Sequence, residues 1–268
     1  MRTVLRWAVM VTAFLALCIV LVGGGFGDRE PPEAFTTERT LRFAHRAGDR
    51  MFPENCLEGV LRADSLGFDG VEIDVRRSAD GVLVAFHDDS CMRLLGRPEP
   101  LEQLTLAQLR EQPLRLHGDP TPVQVPTIAE LLQAAPPGLL FYFDVKGGDP
   151  VLGDSLAALI ARHGALHRCA VASSSIRFLA FTCYLYPGMT TVLEGFDRGE
   201  EWTWWCLPRN FRPHLMSSFA AEVDEDHARW LHEHGLLRRR LVYGTTAEDL
   251  LRLERLGISR FIVDEPVR

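Results

Sequence analysis

The feature that most constrains this chain is a regular alternation of short apolar segments with helical patterns after residue 40. Between most segments, apolar residues recur at helical spacing, as in Ile128, Leu131, Leu132 and Ala135. Such an alternation predicts a parallel sheet flanked by helices. Eight segments predict closure of that sheet into a (β/α)8 TIM barrel. The segments are LRFAH (41–45), GVEIDV (70–75), VLVAFH (82–87), LLFYFDV (139–145), CAVASS (169–174), TTVLEG (190–195), RLVYGTT (240–246) and RFIVDEP (260–266).

Two further features of the same region bear on the barrel. HLMSS (214–218) is a ninth candidate strand, which we assign to the long sixth βα connection. Several helical patterns end on a glycine that leads into the next strand, as at Gly67, Gly164 and Gly257, which is typical of a left-handed helix stop. The alternative fold is an open doubly wound sheet. No glycine-rich phosphate loop follows the first segment, which disfavours a dinucleotide-binding form of that fold.

The N-terminus has a different character from the rest of the chain. Arg2 and Arg6 precede a charge-free apolar run from Trp7 to Val22, and an acidic, proline-containing stretch follows. This pattern predicts an uncleaved transmembrane anchor, with a cleaved signal sequence as the competing interpretation. The flanking charges place the N-terminus in the cytoplasm and the domain on the extracytoplasmic side. We therefore divide the chain into an anchor or signal sequence (1–27), a juxtamembrane linker (28–39) and one barrel domain (40–268).

Composition excludes some partners. The net charge of −7 argues against a protein that binds the phosphate backbone of nucleic acids. An acidic protein that handles an anionic substrate needs a bound cation or a local basic cluster. The six cysteines show no CxxC pair and no spacing typical of a metal finger, and one disulfide among them is left open.

Ionisable residues gather at the predicted carboxyl ends of the first four strands, where TIM barrels carry their active sites. Glu72 and Asp74 are two residues apart and therefore lie on one face of their strand, as do Asp144 and Lys146. Taken singly, a histidine at a strand end or an Asp-x-Lys pair is usually structural. Their repetition on successive strands favours one shared site. The residues in question are His45, Arg46, Glu72, Asp74, His87, Asp88, Asp144 and Lys146.

These residue types point to a particular chemistry. Three inward carboxylates stay ionised together only if a cation balances them, and oxygen ligands favour Ca²⁺ or Mg²⁺. His45 and His87 are suited to general acid–base catalysis near neutral pH. Arg46 and Lys146 are suited to holding a phosphate. The combination predicts cleavage of a phosphodiester.

The same residues resemble the glycerophosphodiester phosphodiesterase family of the phospholipase C-like phosphodiesterase superfamily. AHRAG…FPEN is similar to its HRG…PEN signature, and GFDGVEIDVRRSADGVLVAFHDD to its second block. VPTIAELL, FDVKG and GISRFIVDEP resemble later blocks, so the resemblance runs from about residue 41 to 266. This chain has Ala47 where the family has glycine, and Asp144 where glutamate is commoner. Tyr243 stands where tryptophan is usual.

The resemblance implies a role for each matching position. His45 and His87 would be the catalytic pair, and Glu72, Asp74 and Asp144 the metal ligands. The substrate-binding set would be Arg46, Lys146, Glu54, Asn55 and Tyr243. Trp202, Trp204 and Trp205 lie in a loop, from 196 to 218, that matches nothing in the family. They could cover the barrel mouth, touch lipid or simply pack the loop.

We expect a metal-dependent phosphoric diester hydrolase that uses Ca²⁺ or Mg²⁺. Its substrates would be glycerophosphodiesters or lysophospholipids, cleaved to glycerol 3-phosphate or a lysophosphatidate plus an alcohol. Two alternatives stay open: a phospholipase C- or D-like enzyme acting on intact phospholipid, and a catalytically silent barrel that binds lipid headgroups. The expected partners are the small-molecule substrate and, through the N-terminal segment, a membrane, with no nucleic acid.

Overall fold

The computed structural model describes residues 2–25, 30, 32–36, 39–48, 50–196 and 198–265. The strands are β1 (Leu41–Ala44), β2 (Gly70–Arg77), β3 (Leu83–Ala85), β4 (Arg115–Leu116), β5 (Asp119–Pro120), β6 (Leu140–Val145), β7 (Cys169–Ser173), β8 (Thr190–Leu193), β9 (Leu215–Phe219), β10 (Arg240–Thr245) and β11 (Arg260–Val263). The helices are α1 (Arg2–Val22), α2 (Leu57–Arg62), α3 (Met92–Leu95), α4 (Leu106–Leu109), α5 (Ile128–Ala134), α6 (Pro150–Arg162), α7 (Ile176–Leu185), α8 (Trp202–Cys206), α9 (Glu225–Glu233) and α10 (Ala247–Arg255).

Eight parallel strands close into a barrel, as the sequence predicts. They pair in the order β1, β2, β6, β7, β8, β9, β10 and β11, and β11 pairs with β1 to complete the ring. The register of β2 and β6 places Asp74 beside Asp144. Closure therefore brings residues from distant parts of the chain to one end of the barrel.

Two strand assignments made from the sequence are wrong. The segment at 82–87 does not enter the barrel, because β3 folds back antiparallel on β2 after a tight turn at Gly81, where φ is 81°. A short turn of this kind can join only antiparallel neighbours. Its place in the barrel is taken by β9, which we had assigned to a connection and which pairs in parallel with both β8 and β10.

The helices begin and end as local chemistry dictates. Thr127 and Thr246 each cap a helix, and Glu130 and Asp249 complete the two capping boxes by accepting from the threonine N–H groups.

The side chains of Phe141 and Phe143 are fully buried in the layer between the barrel and its helices. Burial of such a ring contributes about 1.5–3 kcal/mol, so this layer anchors β6 and with it Asp144. The six cysteines, all within the described residues, are free thiols.

The expectation of a transmembrane anchor at 1–27 is wrong. Among the described residues, no helix has both the length and the apolar character needed to cross a bilayer. Helix α1 begins at Arg2 and includes Arg6, so its charge-free part covers only residues 7–22, short of the about 20 apolar residues that a span requires. The single-pass membrane localisation is therefore wrong as well.

The end of α1 is attached to the barrel domain. The carbonyls of Gly23 and Gly25 accept hydrogen bonds from the backbone N–H groups of Asn210 and Arg209, at 2.7 and 2.8 Å. The Asn210 side chain donates to the carbonyl of Val22 at 3.1 Å. Residues 26–29, 31, 37 and 38 lie outside the described residues, and with them much of the expected linker at 28–39.

Candidate active site

The loop after β1 adopts an unusual backbone that aims an N–H group into the barrel end. Arg46, Ala47 and Gly48 have φ values of 47°, 58° and 90°, three consecutive residues in the left-handed region. Only glycine adopts this region without a steric cost, so the loop holds Arg46 and Ala47 in strained conformations. Its result is that the backbone N–H of Arg46 donates to Glu72 Oε2 at 2.7 Å. Ala47 thus keeps the turn that a glycine would be expected to make.

Three buried carboxylates meet at this end of the barrel. Glu72, Asp74 and Asp144 each offer an oxygen, and these oxygens all lie within 4.8 Å of one another. Asn55 fixes Asp74 from both sides, because its side-chain amide donates to Asp74 Oδ2 at 2.8 Å and its carbonyl accepts from the Asp74 N–H at 2.9 Å. Asn55 is itself 1% exposed, so its contacts brace the carboxylates.

Two cations accompany the carboxylates. The Lys146 ammonium lies 2.8 Å from Asp74 Oδ1 and also contacts Asp144 Oδ2. The Arg46 guanidinium lies 3.6 Å from Asp74 Oδ2. Burial alone would raise the pKa of Asp74, but Lys146, His87 and Arg46 together lower it. Burial, together with the charges of Asp74 and Asp144, instead raises the pKa of Glu72 well above its usual range. The two neighbouring cations thus favour the charged form of Asp74, while burial and the nearby carboxylates disfavour the charged form of Glu72.

Each predicted catalytic histidine is held by a carboxylate. His45 Nδ1 lies 2.7 Å from Asp264 Oδ1, and His87 Nδ1 lies 2.7 Å from Asp88 Oδ1. The hydrogen bond to His45 lowers the pKa of Asp264. Both rings are about one-third exposed and line the same cavity as the carboxylate trio. The imidazoles of His45 and His87, each oriented by a carboxylate, therefore face the same cavity.

An arginine clamp supports this arrangement from outside the cavity. Arg93 donates two hydrogen bonds to Glu54, at 2.6 and 2.8 Å, and two more to Asp88. Burial would raise the pKa of Asp88, but the hydrogen bonds from Arg93 and His87 lower it to about 2. Glu54 also lies 3.3 Å from the Arg46 guanidinium. The clamp thus links the loop after β1 to the segment that carries His87.

The cavity enclosed by these groups has a volume of about 410 Å³. Its aromatic wall is made by Phe219 and Tyr243, whose ring centroids are 4.4 Å apart. Of the sequence-predicted residues, Glu54, Asn55 and Asp88 are not part of this lining. The cavity is lined by His45, Arg46, Glu72, Asp74, His87, Asp144, Lys146, Glu194, Phe219, Tyr243, Gly244, Ile262 and Asp264.

Five of these lining residues escaped the sequence analysis: Glu194, Phe219, Gly244, Ile262 and Asp264. Glu194 follows β8, accepts a hydrogen bond from the Tyr142 hydroxyl at 2.8 Å and lies against Asp144. Asp264 follows β11, and Phe219 ends β9. The rule that strand ends carry the site would have found Glu194 and Asp264, since both lie in apolar segments identified as strands. Phe219 was hidden because β9 was assigned to a connection.

The tryptophans of the 196–218 loop lie elsewhere. Trp202 and Trp205 line a second cavity of about 670 Å³ beside α9, together with Glu201 and His227. Trp204 is buried and lies beneath the guanidinium of Arg239, 5.9 Å from ring centroid to carbon. For Trp204 the packing interpretation is therefore confirmed.

Comparison with known proteins agrees with this geometry. Residues 45–151 match the glycerophosphoryl diester phosphodiesterase family. Glycerophosphodiester phosphodiesterase 1 of Mus musculus is 34% identical over 115 residues, which is 41% of this chain and 35% of that protein. An uncharacterised protein of Mycobacterium tuberculosis is 28% identical over 177 residues, 60% of this chain and 58% of that protein.

The fold is shared with a solved phosphodiesterase of Oleispira antarctica, in complex with the product sn-glycerol-3-phosphate. That structure has a TM-score of 0.72 and 19% identity, and the match covers 87% of this chain and 96% of that one. The chain spans less than two-thirds of the length of the two sequence relatives above. The matching segment contains both histidines and all three carboxylates of the cavity. Over residues 45–151 the chain is similar to the glycerophosphoryl diester phosphodiesterase family.

Proposed function

We propose that this chain is a metal-dependent phosphodiesterase that hydrolyses glycerophosphodiesters. The observation that carries the proposal is one cavity lined by three clustered carboxylates and two histidines, each histidine oriented through Nδ1 by its own carboxylate. Similarity to the family supports it, since the matched residues 45–151 include both histidines and all three clustered carboxylates.

The carboxylate trio fits a divalent cation. Glu72, Asp74 and Asp144 supply hard oxygen ligands within 4.8 Å of one another, and burial, together with the charges of Asp74 and Asp144, raises the pKa of Glu72. Such a donor set suits Ca²⁺ or Mg²⁺. When bound, the cation would neutralise charge that develops on the phosphoryl oxygens. Glu194 lies against Asp144 and is held by Tyr142, so we assign it to orienting this shorter ligand.

His45 and His87 move the protons in this proposal. One imidazole accepts the proton of the attacking hydroxyl, which is the substrate's own glycerol hydroxyl or a water molecule. The other donates a proton to the oxygen of the leaving alcohol. Asp264 and Asp88 hold the two rings in place and stabilise their protonated forms, as an anion beside an imidazolium does.

Arg46 and Lys146 bind the phosphate. Both cations line the cavity next to the carboxylates and carry donors that suit phosphoryl oxygens. Phe219 and Tyr243 form the apolar wall against which the alcohol or an acyl-bearing glycerol rests. Glu54 and Asn55 brace Arg46 and Asp74. Of the three hypotheses drawn from the sequence, the glycerophosphodiester or lysophospholipid hydrolase accounts for most of these groups.

The proposal is tested with the purified full chain and a panel of diesters. Glycerophosphocholine, glycerophosphoinositol and lysophosphatidylcholine are incubated with Ca²⁺, with Mg²⁺ or with EDTA. We expect phosphomonoester release that requires metal and is lost in His45→Ala. Cleavage of intact phosphatidylcholine alone would favour the phospholipase alternative. Inactivity on every diester with both metals would favour the alternative of a catalytically silent barrel that binds lipid headgroups.

A further inference from the structure

One buried cation at the other end of the barrel has no counter-charge among the residues that the structure describes. Arg260 begins β11, so its side chain lies at the amino ends of the strands, and it is 2% exposed. Its Nε donates to the carbonyl of Phe35, while its Nη1 is buried and has no hydrogen-bond partner among the described residues. Burial and the neighbouring Arg238 lower its pKa to about 10. A buried charge is costly unless it is paired, so this site is electrostatically incomplete.

Two other buried arginines, Arg168 and Arg240, each donate to more acceptors than Arg260 does. Arg168 donates to three carbonyls near the end of α5 and lies over the ring of Phe141. Arg240 lies 3.4 Å from Glu201 and donates to the Phe196 carbonyl at 2.8 Å. Arg260 has one carbonyl and a like charge beside it. It is therefore the exception among these three.

A cavity lies next to this arginine. Its volume is about 540 Å³, and its lining includes Thr36, His232, Arg238, Ser259 and Arg260. Arg238 forms an ion pair with Glu30 at 3.2 Å, in which both side chains are more than 60% exposed. Exposed pairs of this kind contribute little, so Arg238 can exchange its partner for another anion. The cavity thus combines the buried guanidinium of Arg260, the long and exposed basic side chain of Arg238, and the hydroxyl groups of Thr36 and Ser259.

We infer that this cavity at the amino ends of the strands is a second anion site that binds a phosphate group. Arg260 supplies the fixed charge, Arg238 the second charge at the opening, and Thr36 and Ser259 the neutral donors. Two arginines and hydroxyls suit the several oxygens of a phosphate better than a halide. Both inorganic phosphate and a phosphomonoester carry this chemistry. The site is separate from the carboxylate cavity, which lies at the carboxyl ends of the strands.

The inference is tested by calorimetric titration of the full chain in EDTA, with inorganic phosphate in one series and glycerol 3-phosphate in another. The titrations use the Lys146→Ala background, which weakens phosphate binding in the carboxylate cavity. We expect one saturable site, weakened about tenfold or more in Arg238→Ala through loss of a charge-assisted hydrogen bond. Binding of both probes indicates a phosphate site in general, and binding of glycerol 3-phosphate alone indicates a site for the ester.

Arg229→Ala is the matched control, because Arg229 has the same 63% side-chain exposure as Arg238 and also pairs with an exposed carboxylate. Its affinity should stay within twofold of the parent. Equal weakening by both arginine variants would overturn the inference in favour of general surface charge, and so would the absence of saturable binding. Arg260→Met should abolish binding. If circular dichroism shows that it does not fold, Ser259→Ala takes its place, with weaker binding expected and unchanged binding counting against the site.

Discussion

Two cavities in this molecule contain a histidine hydrogen-bonded to a carboxylate. At the carboxyl ends of the strands, His45 and His87 each place Nδ1 2.7 Å from an aspartate, with rings 32% and 34% exposed. Beside α9, His227 Nε2 lies 2.7 Å from Glu201 Oε1, Nδ1 lies 2.9 Å from the carbonyl of Glu222, and the side chain is 2% exposed. The second cavity is the larger, at about 670 against 410 Å³.

The difference shows that neither cavity size nor a His–carboxylate pair identifies the reacting site. Both nitrogens of His227 are engaged and its ring is closed to solvent, so it fastens α9 to the loop that carries Glu201. His45 and His87 are oriented but still open to a substrate. The carboxylate trio, Arg46 and Lys146 line the cavity beside them and do not line the cavity beside His227. The following predictions test this contrast, from the largest expected effect to the smallest.

Replacing the open histidines should abolish turnover. His45→Ala and His87→Ala should each lower kcat by about 10²–10⁴-fold, because each removes a group that transfers a proton. The assay is initial-rate release of glycerol phosphate from glycerophosphocholine. His227→Ala, normalised to the folded fraction by circular dichroism, should keep kcat within threefold. Similar losses of kcat at His45, His87 and His227 would contradict the difference proposed between the two cavities.

Removing the orienting carboxylate should have a smaller effect. Asp264→Asn leaves His45 in place but weakens its alignment and the support for its protonated form, so kcat should fall about 10²-fold with KM little changed. Steady-state kinetics measure the split. Asp226→Asn, at an exposed aspartate lining the second cavity, is the control and should match the wild type. Wild-type kinetics for Asp264→Asn would show that this hydrogen bond plays no part in the reaction.

Lys146 should act on the substrate and not on the metal. Lys146→Ala removes a cation beside Asp74 and Asp144, so KM should rise or kcat fall by roughly 10- to 100-fold, the value of a charge-assisted hydrogen bond to phosphate. Calorimetric titration with Ca²⁺ should show that metal binding is retained. Unchanged kinetics would remove Lys146 from the site, and lost metal affinity would assign it a different role.

Acid sensitivity should be the smallest effect. The pKa of Asp88 is lowered from 3.8 to about 2 in the folded protein. A carboxyl with a depressed folded pKa adds stability that is complete above its unfolded pKa and is lost as pH falls through the folded value. Asp88 therefore contributes stability above about pH 4 that disappears towards about pH 2. Asp88→Asn lacks this contribution, so its Tm should fall less steeply than that of the wild type between pH 4 and 2.5. The exposed Asp119→Asn should follow the wild type, and parallel slopes for Asp88→Asn and wild type would contradict the assignment.

Much of the architecture could be predicted from local sequence patterns. The alternation after residue 40 predicts the barrel, and the spacing of Glu72 with Asp74 predicts their common face, because side-chain direction follows from the strand itself. It was harder to predict which apolar segments become strands of the barrel. LVA at 83–85 and LMSSF at 215–219 are similarly apolar, and only the turn at Gly81 distinguishes a strand that folds back from one that enters the barrel.

The supporting contacts could not be predicted in the same way. Arg93 contacts Asp88 in its own segment and Glu54 in a segment 39 residues earlier, and no spacing rule links Arg93 with Glu54. The left-handed backbone at Ala47 also runs against local preference and depends on its surroundings, since a Cβ at Gly59 would lie 2.0 Å from the Ala47 carbonyl. The N-terminal prediction failed because no helix among the described residues has both the length and the apolar character of a membrane span.

The central claim is that Glu72, Asp74 and Asp144 bind one divalent cation that the reaction needs. Its most direct test is calorimetric titration of the metal-free chain with Ca²⁺ and with Mg²⁺, for the wild type and for Asp144→Asn. We predict one site per chain for at least one of these ions, with affinity lowered roughly 10- to 100-fold in Asp144→Asn and with kcat restored by excess metal. Binding of equal strength in both proteins, or no binding of either ion to the wild type, would contradict the account.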